Sequence, residues 1–235
     1  FIFLGVPFRG RRAMRALATD ALVPTYRPKP ARTRTSQCVA VRPCEDYDTK
    51  KVYEAVRSAI DAAGFEIPAG KRVLLKPNIL AQNTPDQCTT THPAVVEAVC
   101  RLFIERGCEC TIGESSAFYQ GGGTEEAFVT SGIAEAAKRS GAKLLAFESA
   151  RLVKIESGEA LNPFYMTEAV LSHDIVVDLP KLKLHRLARY TGAIKNLYGC
   201  IPGGAKQRYH MLYQERADYQ EYWGKPLVDV YEAVN

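Results

Sequence analysis

The chain reads Arg72-Val73-Leu74-Leu75-Lys76-Pro77-Asn78 near the end of its first third, and this stretch indicates the fold class. Its apolar residues follow one another without polar alternation, which is typical of a strand buried on both faces of a parallel sheet. The strand is expected to end at Lys76-Pro77-Asn78, where charged and polar residues begin. Because such a sheet needs helices to cover it, the neighbouring segments should alternate between helix and strand.

The segments on both sides of this strand show that alternation. Apolar residues recur at helical spacing before and after it, with Gly64 and Gly107 as stop signals. The predicted helices are 49–63, 93–106, one that starts at Thr124 and breaks near Gly132, and a short one at 167–172. The predicted strands are 38–41, 109–113, 143–147 and 174–179, with a hairpin at 151–161. This order predicts an α/β fold with a mostly parallel sheet and helices on both faces, a three-layer, Rossmann-like arrangement.

Charge divides the chain into two parts. The first 34 residues hold eight basic residues and one acidic residue, about +7, whereas the whole chain has a net charge of +5, so the remainder is about −2. Residues 1–35, which are rich in Arg and Pro, are predicted to be a basic flexible arm, and residues 36–235 to be the α/β domain. Because the first residue is Phe, we expect the chain to be a fragment or a processed product.

Cysteine usage and hydropathy favour a reduced, cytoplasmic protein. The seven cysteines are odd in number and include no Cys-x-x-Cys pair, which is typical of buried thiols. No metal and no cofactor are predicted for this chain, because no four cysteines have ligand spacing. No run of about 18 apolar residues is present, so no membrane-spanning helix is expected.

Polar residues follow four of the predicted strands. In open parallel sheets, ligands bind beyond the carboxyl ends of the strands, so these residues are expected to share a cleft. The four strand ends are Lys76-Pro77-Asn78, Gly113-Glu114-Ser115-Ser116, Phe147-Glu148-Ser149 and Leu179-Pro180-Lys181. They supply Lys76, Asn78 and Glu114 as candidate ligand-binding residues.

The last strand leads into a basic segment, Lys181 to Arg208, which holds seven cations and no acid. A helix predicted to begin at Thr191 would present free N–H groups, and such groups bind phosphate or carboxylate. The segment therefore predicts an anion-binding site, and its alternative interpretation is a solvated basic loop. The candidate ligand-binding residues in it are Lys181, Lys183, Thr191, Lys195, Asn196 and Lys206.

Two histidines are candidates for acid–base chemistry. His185 lies inside the basic segment, and His92 precedes a predicted helix. His92 could equally be a structural residue held by hydrogen bonds at the start of that helix. His210 follows the basic segment and could join the site, although the four scattered histidines define no triad and no zinc spacing.

Several of these motifs resemble the bacterial and archaeal family called "domain of unknown function 362". The matching segments, in order, are 73–78, 90–96, 113–115, 178–183 and above all Tyr190-Thr191-Gly192-Ala193-Ile194-Lys195-Asn196-Leu197-Tyr198-Gly199 with Ile201-Pro202-Gly203. The resemblance implies an α/β domain that is often associated with iron–sulfur chemistry. It also implies a [4Fe–4S] cluster in longer members with Cys-x2-Cys-x2-Cys-x3-Cys motifs, which this chain lacks. Compared with longer members of that family, the chain is expected to be a truncated member that is incomplete at its C-terminus.

Two hypotheses on function follow. The first is an uncharacterised domain with an anion-binding cleft, an enzyme acting on a small anionic substrate. The second is an accessory or electron-transfer protein with a redox partner, linked to an iron–sulfur module absent from this chain. Nucleic-acid binding is not expected, because the remainder of the domain is acidic. No reaction and no oligomeric state are assigned from the sequence.

Overall fold

The structure is a computed structural model that describes residues 23–26, 38–116, 123–185, 188–214, 218 and 222–234, except the side chains of residues 212–214. The strands are β1 (Thr25–Tyr26), β2 (Arg72–Pro77), β3 (Glu109–Glu114), β4 (Lys143–Ala146), β5 (Leu152–Ile155), β6 (Phe164–Thr167), β7 (Ile175–Leu179), β8 (Lys183–His185) and β9 (Arg189–Thr191). The helices are α1 (Thr49–Ala62), α2 (Pro93–Ile104), α3 (Thr124–Thr130), α4 (Ile133–Ser140), α5 (Ala169–Ser172), α6 (Ala193–Leu197), α7 (Gly203–Gln214) and α8 (Gly224–Val234). Two 3₁₀ turns span Pro85–Gln87 and Tyr198–Cys200.

A four-stranded parallel sheet in the order β4-β3-β2-β7 forms the centre of the protein. Strand β2 is an inner strand, and its residues Val73, Leu74 and Leu75 are fully buried. Because successive side chains of a strand point to opposite faces, this continuous apolar run supplies core residues to both sides of the sheet. The predicted α/β fold with a three-layer arrangement is confirmed.

Helices α1, α2 and α4 cover the first face. Val73 and Leu75 from the sheet pack there with Val99 and Phe103 of α2 and with Ile133 of α4 in one buried cluster. The predicted interruption of the helix after Thr124 is confirmed, since α3 and α4 are separated by Gly132, whose φ of 74° is costly for residues with a side chain.

The second face is covered by the antiparallel hairpin β5–β6 and by helices α6 and α8. Leu74, Phe164 and Val230 belong to its buried cluster. The carboxylate of Asp229 on α8 accepts hydrogen bonds from the backbone N–H groups of residues 159, 160 and 161, at 2.9, 2.9 and 2.6 Å. The last helix is therefore joined to the loop between β5 and β6 by both apolar packing and a buried carboxylate.

Two features near the start of the domain differ from expectation. The predicted strand at 38–41 is absent: these residues have no regular secondary structure, and Val39 and Val41 are 87% and 78% exposed, because no neighbouring strand pairs with them. Within the predicted flexible arm, Thr25 and Tyr26 form β1, which pairs in parallel with Lys154 and Ile155 of β5. Apart from residues 23–26, the arm lies outside the described residues.

Among the described residues, no helix combines the length and the apolar character needed to cross a membrane.

Gly113 should be required for close packing between the sheet and its second face. A methyl group on Gly113 would lie 2.7 Å from the ring Cζ of Phe147 and 2.9 Å from Cδ1 of Leu74, both in the buried core. We expect Gly113→Ala to lower the free energy of unfolding by about 1–3 kcal/mol, the usual range for overpacking, as measured by urea denaturation. Gly224→Ala is the matched control, because among the described residues no atom beyond the chain neighbours and the backbone of its own helix lies within 4 Å of the added group; equal stability of the two variants would contradict this packing.

Candidate functional site

The order of the parallel strands defines where a ligand is expected to bind. The chain proceeds from β2 to β3 to β4 in one direction and then returns to place β7 on the other side of β2. The topological switch point therefore lies between the carboxyl ends of β2 and β7, and this is where open α/β sheets bind ligands. The four polar strand ends noted in the sequence all lie at this edge, because β2, β3, β4 and β7 are parallel neighbours.

A buried ion pair lies at this edge. The ammonium of Lys76, at the end of β2, donates to the carboxylate of Glu114, at the end of β3, and also to the carbonyl oxygen of Pro77 at 2.9 Å. Lys76 is 0% exposed and Glu114 is 2% exposed. Since each charge would be costly alone in this environment, the pair joins the two strand ends firmly.

Asn196 connects β2 and β7 across the switch point. Its side-chain N–H₂ group donates to the carbonyl oxygen of Lys76 at 3.0 Å and to Oδ1 of Asp178 at 2.6 Å. Burial raises the pKa of Asp178 to about 6, although Lys76 and the hydrogen bond from Asn196 favour its ionised form. The two remaining oxygens, Oδ1 of Asn196 and Oδ2 of Asp178, are buried and have no hydrogen-bond partner among the described residues.

The backbone crosses directly over the ion pair at Gly199. A methyl group there would lie 2.9 Å from Nζ of Lys76 and would also contact the carboxylate of Glu114. Only a residue without a side chain allows this approach, which explains the glycine at this position.

A cavity of about 470 Å³ opens beside this crossing. Its polar lining includes Asn78, Glu114, Ser115, Lys195, Asn196 and Lys206. Ile79, Leu80, Tyr198 and Met211 supply apolar and aromatic lining, and His185 and His210 also contribute. The strand ends and the basic segment therefore meet at one cavity.

Three partly buried lysines surround the polar part of the cavity. Lys206 donates to the carbonyl oxygen of Ser115 and lies 3.3 Å from its Oγ, and Lys183 donates to Oδ1 of Asn78 at 2.6 Å and to the carbonyl oxygen of Thr89. Lys195 donates to no acceptor within the described part of the chain. Burial, together with the neighbouring ammonium groups, lowers the pKa of Lys183 and of Lys195 to about 8, and burial also lowers the pKa of Lys206.

The two cavity histidines are neutral at pH 7. Burial, reinforced by the charge of Lys195, lowers the pKa of both His185 and His210 to about 4. Their ring centroids are 6.2 Å apart, and Nδ1 of His185 accepts a hydrogen bond from the backbone N–H of Ala188 at 3.1 Å. This bond places the ring proton of neutral His185 on Nε2.

A hydroxyl and carboxylate network supports the end of β3. Glu148 accepts from the hydroxyls of Ser115 and Thr124, the latter at 3.0 Å, and Thr124 accepts from the backbone N–H of Ser116 at 2.9 Å. The backbone N–H of Gly203 donates to Oγ of Ser115 at 3.0 Å, which joins this network to the start of α7. The sequence indicates Ser115 and Glu148 only as strand-end residues, and Thr124 only as the start of a predicted helix.

The structure brings most of the predicted ligand-binding residues together. Asn78, Glu114, Lys195, Asn196, Lys206 and the predicted acid–base residue His185 line the cavity, while Lys76 lies within contact of the backbone at Gly199. Lys183 contacts the cavity through Asn78. Lys181 instead lines a pocket of about 20 Å³ beside Asn78, and its Nζ lies 3.4 Å from the hydroxyl of Tyr47.

The predicted helix start at Thr191 is wrong. Thr191 ends strand β9, and its Oγ1 lies 3.0 and 3.2 Å from the carbonyl oxygens of Lys181 and Lys183 on the paired side of the hairpin. The following helix α6 has only five residues and begins at Ala193. Because this helix is so short, the side chains that line the cavity are the stronger candidate anion ligands.

His92 lies outside the cavity lining. It is the N-cap of α2, where Nδ1 accepts from the backbone N–H of Ala94 at 3.2 Å, and its ring stacks on Tyr47 at a centroid distance of 3.6 Å. Burial and the charge of Lys181 lower the pKa of His92. These contacts fit the structural alternative for His92, and His210 is the second histidine in the cavity.

No group of three or more potential metal ligands converges within the described ranges of the chain. The seven cysteines are free thiols, of which Cys100, Cys108, Cys110 and Cys200 are buried.

Comparison with known proteins assigns the family. Residues 73–235, more than half of the chain, match the family described as "Domain of unknown function (DUF362)". The chain belongs to the DUF362 family. It is 30% identical over 193 residues to "Thylakoid-associated protein sll1697" of Synechocystis sp. (strain ATCC 27184 / PCC 6803 / Kazusa). The matched region covers 81% of this chain and 58% of that protein. The resemblance inferred from the sequence is confirmed, and this DUF362 chain spans less than two thirds of the relative's length.

Removing one member of the Lys76–Glu114 ion pair should destabilise the protein more than removing both charges. Lys76→Met leaves the buried carboxylate of Glu114 without a counter-charge, so we expect it to lower the free energy of unfolding by about 3–5 kcal/mol. The double variant Lys76→Met/Glu114→Gln removes both charges and should recover a large part of that loss. Urea denaturation of the wild type, the two single variants and the double variant measures the coupling; strictly additive losses would contradict the pairing.

Proposed function

We propose that the cavity at the β2–β7 switch point binds a small organic anion, a carboxylate or a phosphate ester, and that the domain is an enzyme acting on it. The observation that carries this proposal is Lys195. This cation lines the cavity and donates to no acceptor in the described portion of the chain. In addition, its charge is repelled by the neighbouring cations Lys76, Lys183 and Lys206. An anionic ligand would provide the acceptor and the counter-charge that the protein itself does not provide.

The balance of charge around the cavity favours an anion. Glu114 is already neutralised by Lys76 and therefore opposes an anion little. Lys195 and Lys206 remain as cations in the lining, with Lys183 behind Asn78. Because these groups are partly buried, a charge-assisted hydrogen bond to them is stronger than one at an exposed surface.

The remaining lining favours an organic ligand over a bare inorganic ion. A volume of about 470 Å³ lies within the usual range of small-molecule sites. The apolar and aromatic surfaces of Ile79, Leu80 and Tyr198 would contact the body of such a ligand, while the unpaired Oδ1 of Asn196 would accept a hydrogen bond from it.

The two neutral imidazoles favour an enzyme over a simple binding protein. His185 and His210 line the same cavity as the lysines and can give or take a proton at one ring nitrogen each. Their pKa values of about 4 reflect burial and the nearby cations. A bound anion would stabilise the protonated rings and so raise both pKa values towards the ordinary range of histidine.

Loss of Lys195 should weaken anion binding far more than loss of an exposed cation from the same segment. We expect Lys195→Ala to reduce affinity about tenfold or more, since a charge-assisted contact contributes about 1.5–3 kcal/mol. Arg189→Ala is the matched control, because Arg189 is exposed on β9, and it should change affinity less than about twofold. The measurement is titration calorimetry at low salt with inorganic phosphate, citrate, pyruvate and benzoate. Small and equal losses in both variants would indicate a diffuse electrostatic surface and refute the site.

Anion binding should be coupled to proton uptake near pH 8. At that pH Lys183 and Lys195 are each about half neutral, and an anion favours their protonated forms. Affinity should therefore decline as the pH rises above 8, and binding at pH 8 should take up protons. Calorimetry at pH 8 in two buffers of different ionisation enthalpy measures the uptake; an uptake of zero would contradict the proposed contact with these lysines.

A further inference from the structure

Lys195 differs from every other lysine near the cavity in one respect. Lys76 is paired with Glu114, Lys183 donates to the side chain of Asn78, and Lys206 donates to Ser115. Each of these ammonium groups is held in place by acceptors of the protein. Lys195 has no such acceptor in the described residues, so its Nζ is available to a ligand in the cavity.

Charged and titratable groups face Lys195 from several elements. Those that act on it or share its cavity are Lys76 on β2, Glu114 on β3, Lys183 and His185 on β8, and Lys206 and His210 on α7. The carboxylate of Glu114 is paired with Lys76, and the imidazoles of His185 and His210 are neutral. The net effect on Lys195 is therefore repulsion by neighbouring cations in a partly buried setting, an arrangement that increases the neutral, nucleophilic fraction of its amine.

We propose that Lys195 is a nucleophile that forms an imine with the carbonyl carbon of a small 2-oxo acid held in this cavity. This inference rests on the proposed function, because the carboxylate of the 2-oxo acid is the anion that Lys206 and the neighbouring cations bind. It adds a covalent step and a substrate class to that function.

The protonation state of Lys195 suits this chemistry. With a pKa of about 8, about one amine in eleven is neutral at pH 7, against about one in three thousand for a lysine at its ordinary value of 10.5. Burial and the neighbouring cations thus raise the reactive fraction about 300-fold.

The proposed reaction balances without an oxidant or a reductant. The lone pair of the Lys195 amine attacks the carbonyl carbon, a C–N bond forms, and the carbonyl oxygen takes up a proton to give a carbinolamine. The C–O bond then breaks, the oxygen leaves as water with the two hydrogens of the amine, and a C=N bond remains. His185 and His210 lie in the same cavity and can transfer these protons between nitrogen and oxygen.

The experiment traps the imine on the intact chain. The protein is incubated at pH 7 with glyoxylate or pyruvate, reduced with sodium cyanoborohydride, digested, and mapped by mass spectrometry. We expect the peptide that contains Lys195 to be labelled at least tenfold faster than the peptide that contains Lys143, whose side chain is 75% exposed. The labelling rate at Lys195 should rise as the pH is raised from 6 towards 8, as expected for its pKa of about 8.

Two variants and one further reagent serve as controls. Lys195→Arg keeps the positive charge but cannot form an imine, so it should retain anion binding and lose the fast label. Lys143→Arg should leave the fast label unchanged. Propanal, a carbonyl compound without a carboxylate, should label the two lysines at rates that differ less than those seen with glyoxylate.

The outcomes separate this inference from the proposed function. Equal labelling of Lys195 and Lys143 would overturn the imine, even if calorimetry still detects anion binding that depends on Lys195. Absence of both fast labelling and anion binding would overturn both proposals. Fast labelling at Lys195 that needs the carboxylate of the reagent supports both.

Discussion

The ion pair between Lys76 and Glu114 determines the arrangement of the whole site. Two opposite charges are enclosed at the carboxyl edge of the sheet, where neither reaches water. Their burial is tolerable because they contact each other, because Lys76 also donates to the carbonyl oxygen of Pro77, and because Glu114 accepts from the backbone N–H of Ser115. The segment from Asn196 to Gly199 is then fitted around this pair, with an amide that bonds the backbone of Lys76 and a glycine that leaves room for both charged groups.

The cations around the cavity make the folded protein less stable than neutral side chains of similar size would. A pKa of about 8 for Lys183 and Lys195 means that folding disfavours their charged forms, a penalty that is present below pH 8 and disappears as the pH rises towards 10.5. A ligand that supplies negative charge offsets this penalty. The repulsion among the cavity lysines in the free protein is relieved when an anion binds, and this relief contributes to the binding affinity.

The sequence predicted the fold and several charged and polar residues of the cavity because the relevant signals are local. Each parallel strand is a short apolar run, and the polar residues after it must lie at one edge of a parallel sheet, which is where Asn78 and Glu114 are found. The wrong helix start at Thr191 reflects the limit of local patterns: its hydroxyl lies beside backbone carbonyls of residues 181 and 183, eight to ten positions earlier, and only the hairpin register reveals this. The hydrogen bond between Gly203 and Ser115 joins residues 88 positions apart, and no local sequence pattern around either residue predicts it.

The carboxylate of Asp229 also constrains the order in which the chain can assemble. Its three backbone partners lie about 70 positions earlier in the chain, and the buried cluster on the same face includes Val230 of α8. During synthesis, the strands of the central sheet and the β5–β6 hairpin leave the ribosome well before α8 does. Until that helix arrives, the hairpin loop lacks the acceptor for three of its N–H groups, and the apolar face beneath it stays uncovered. The second face of the sheet is therefore completed after translation has passed residue 230, and the nascent chain must keep that face from aggregation in the meantime.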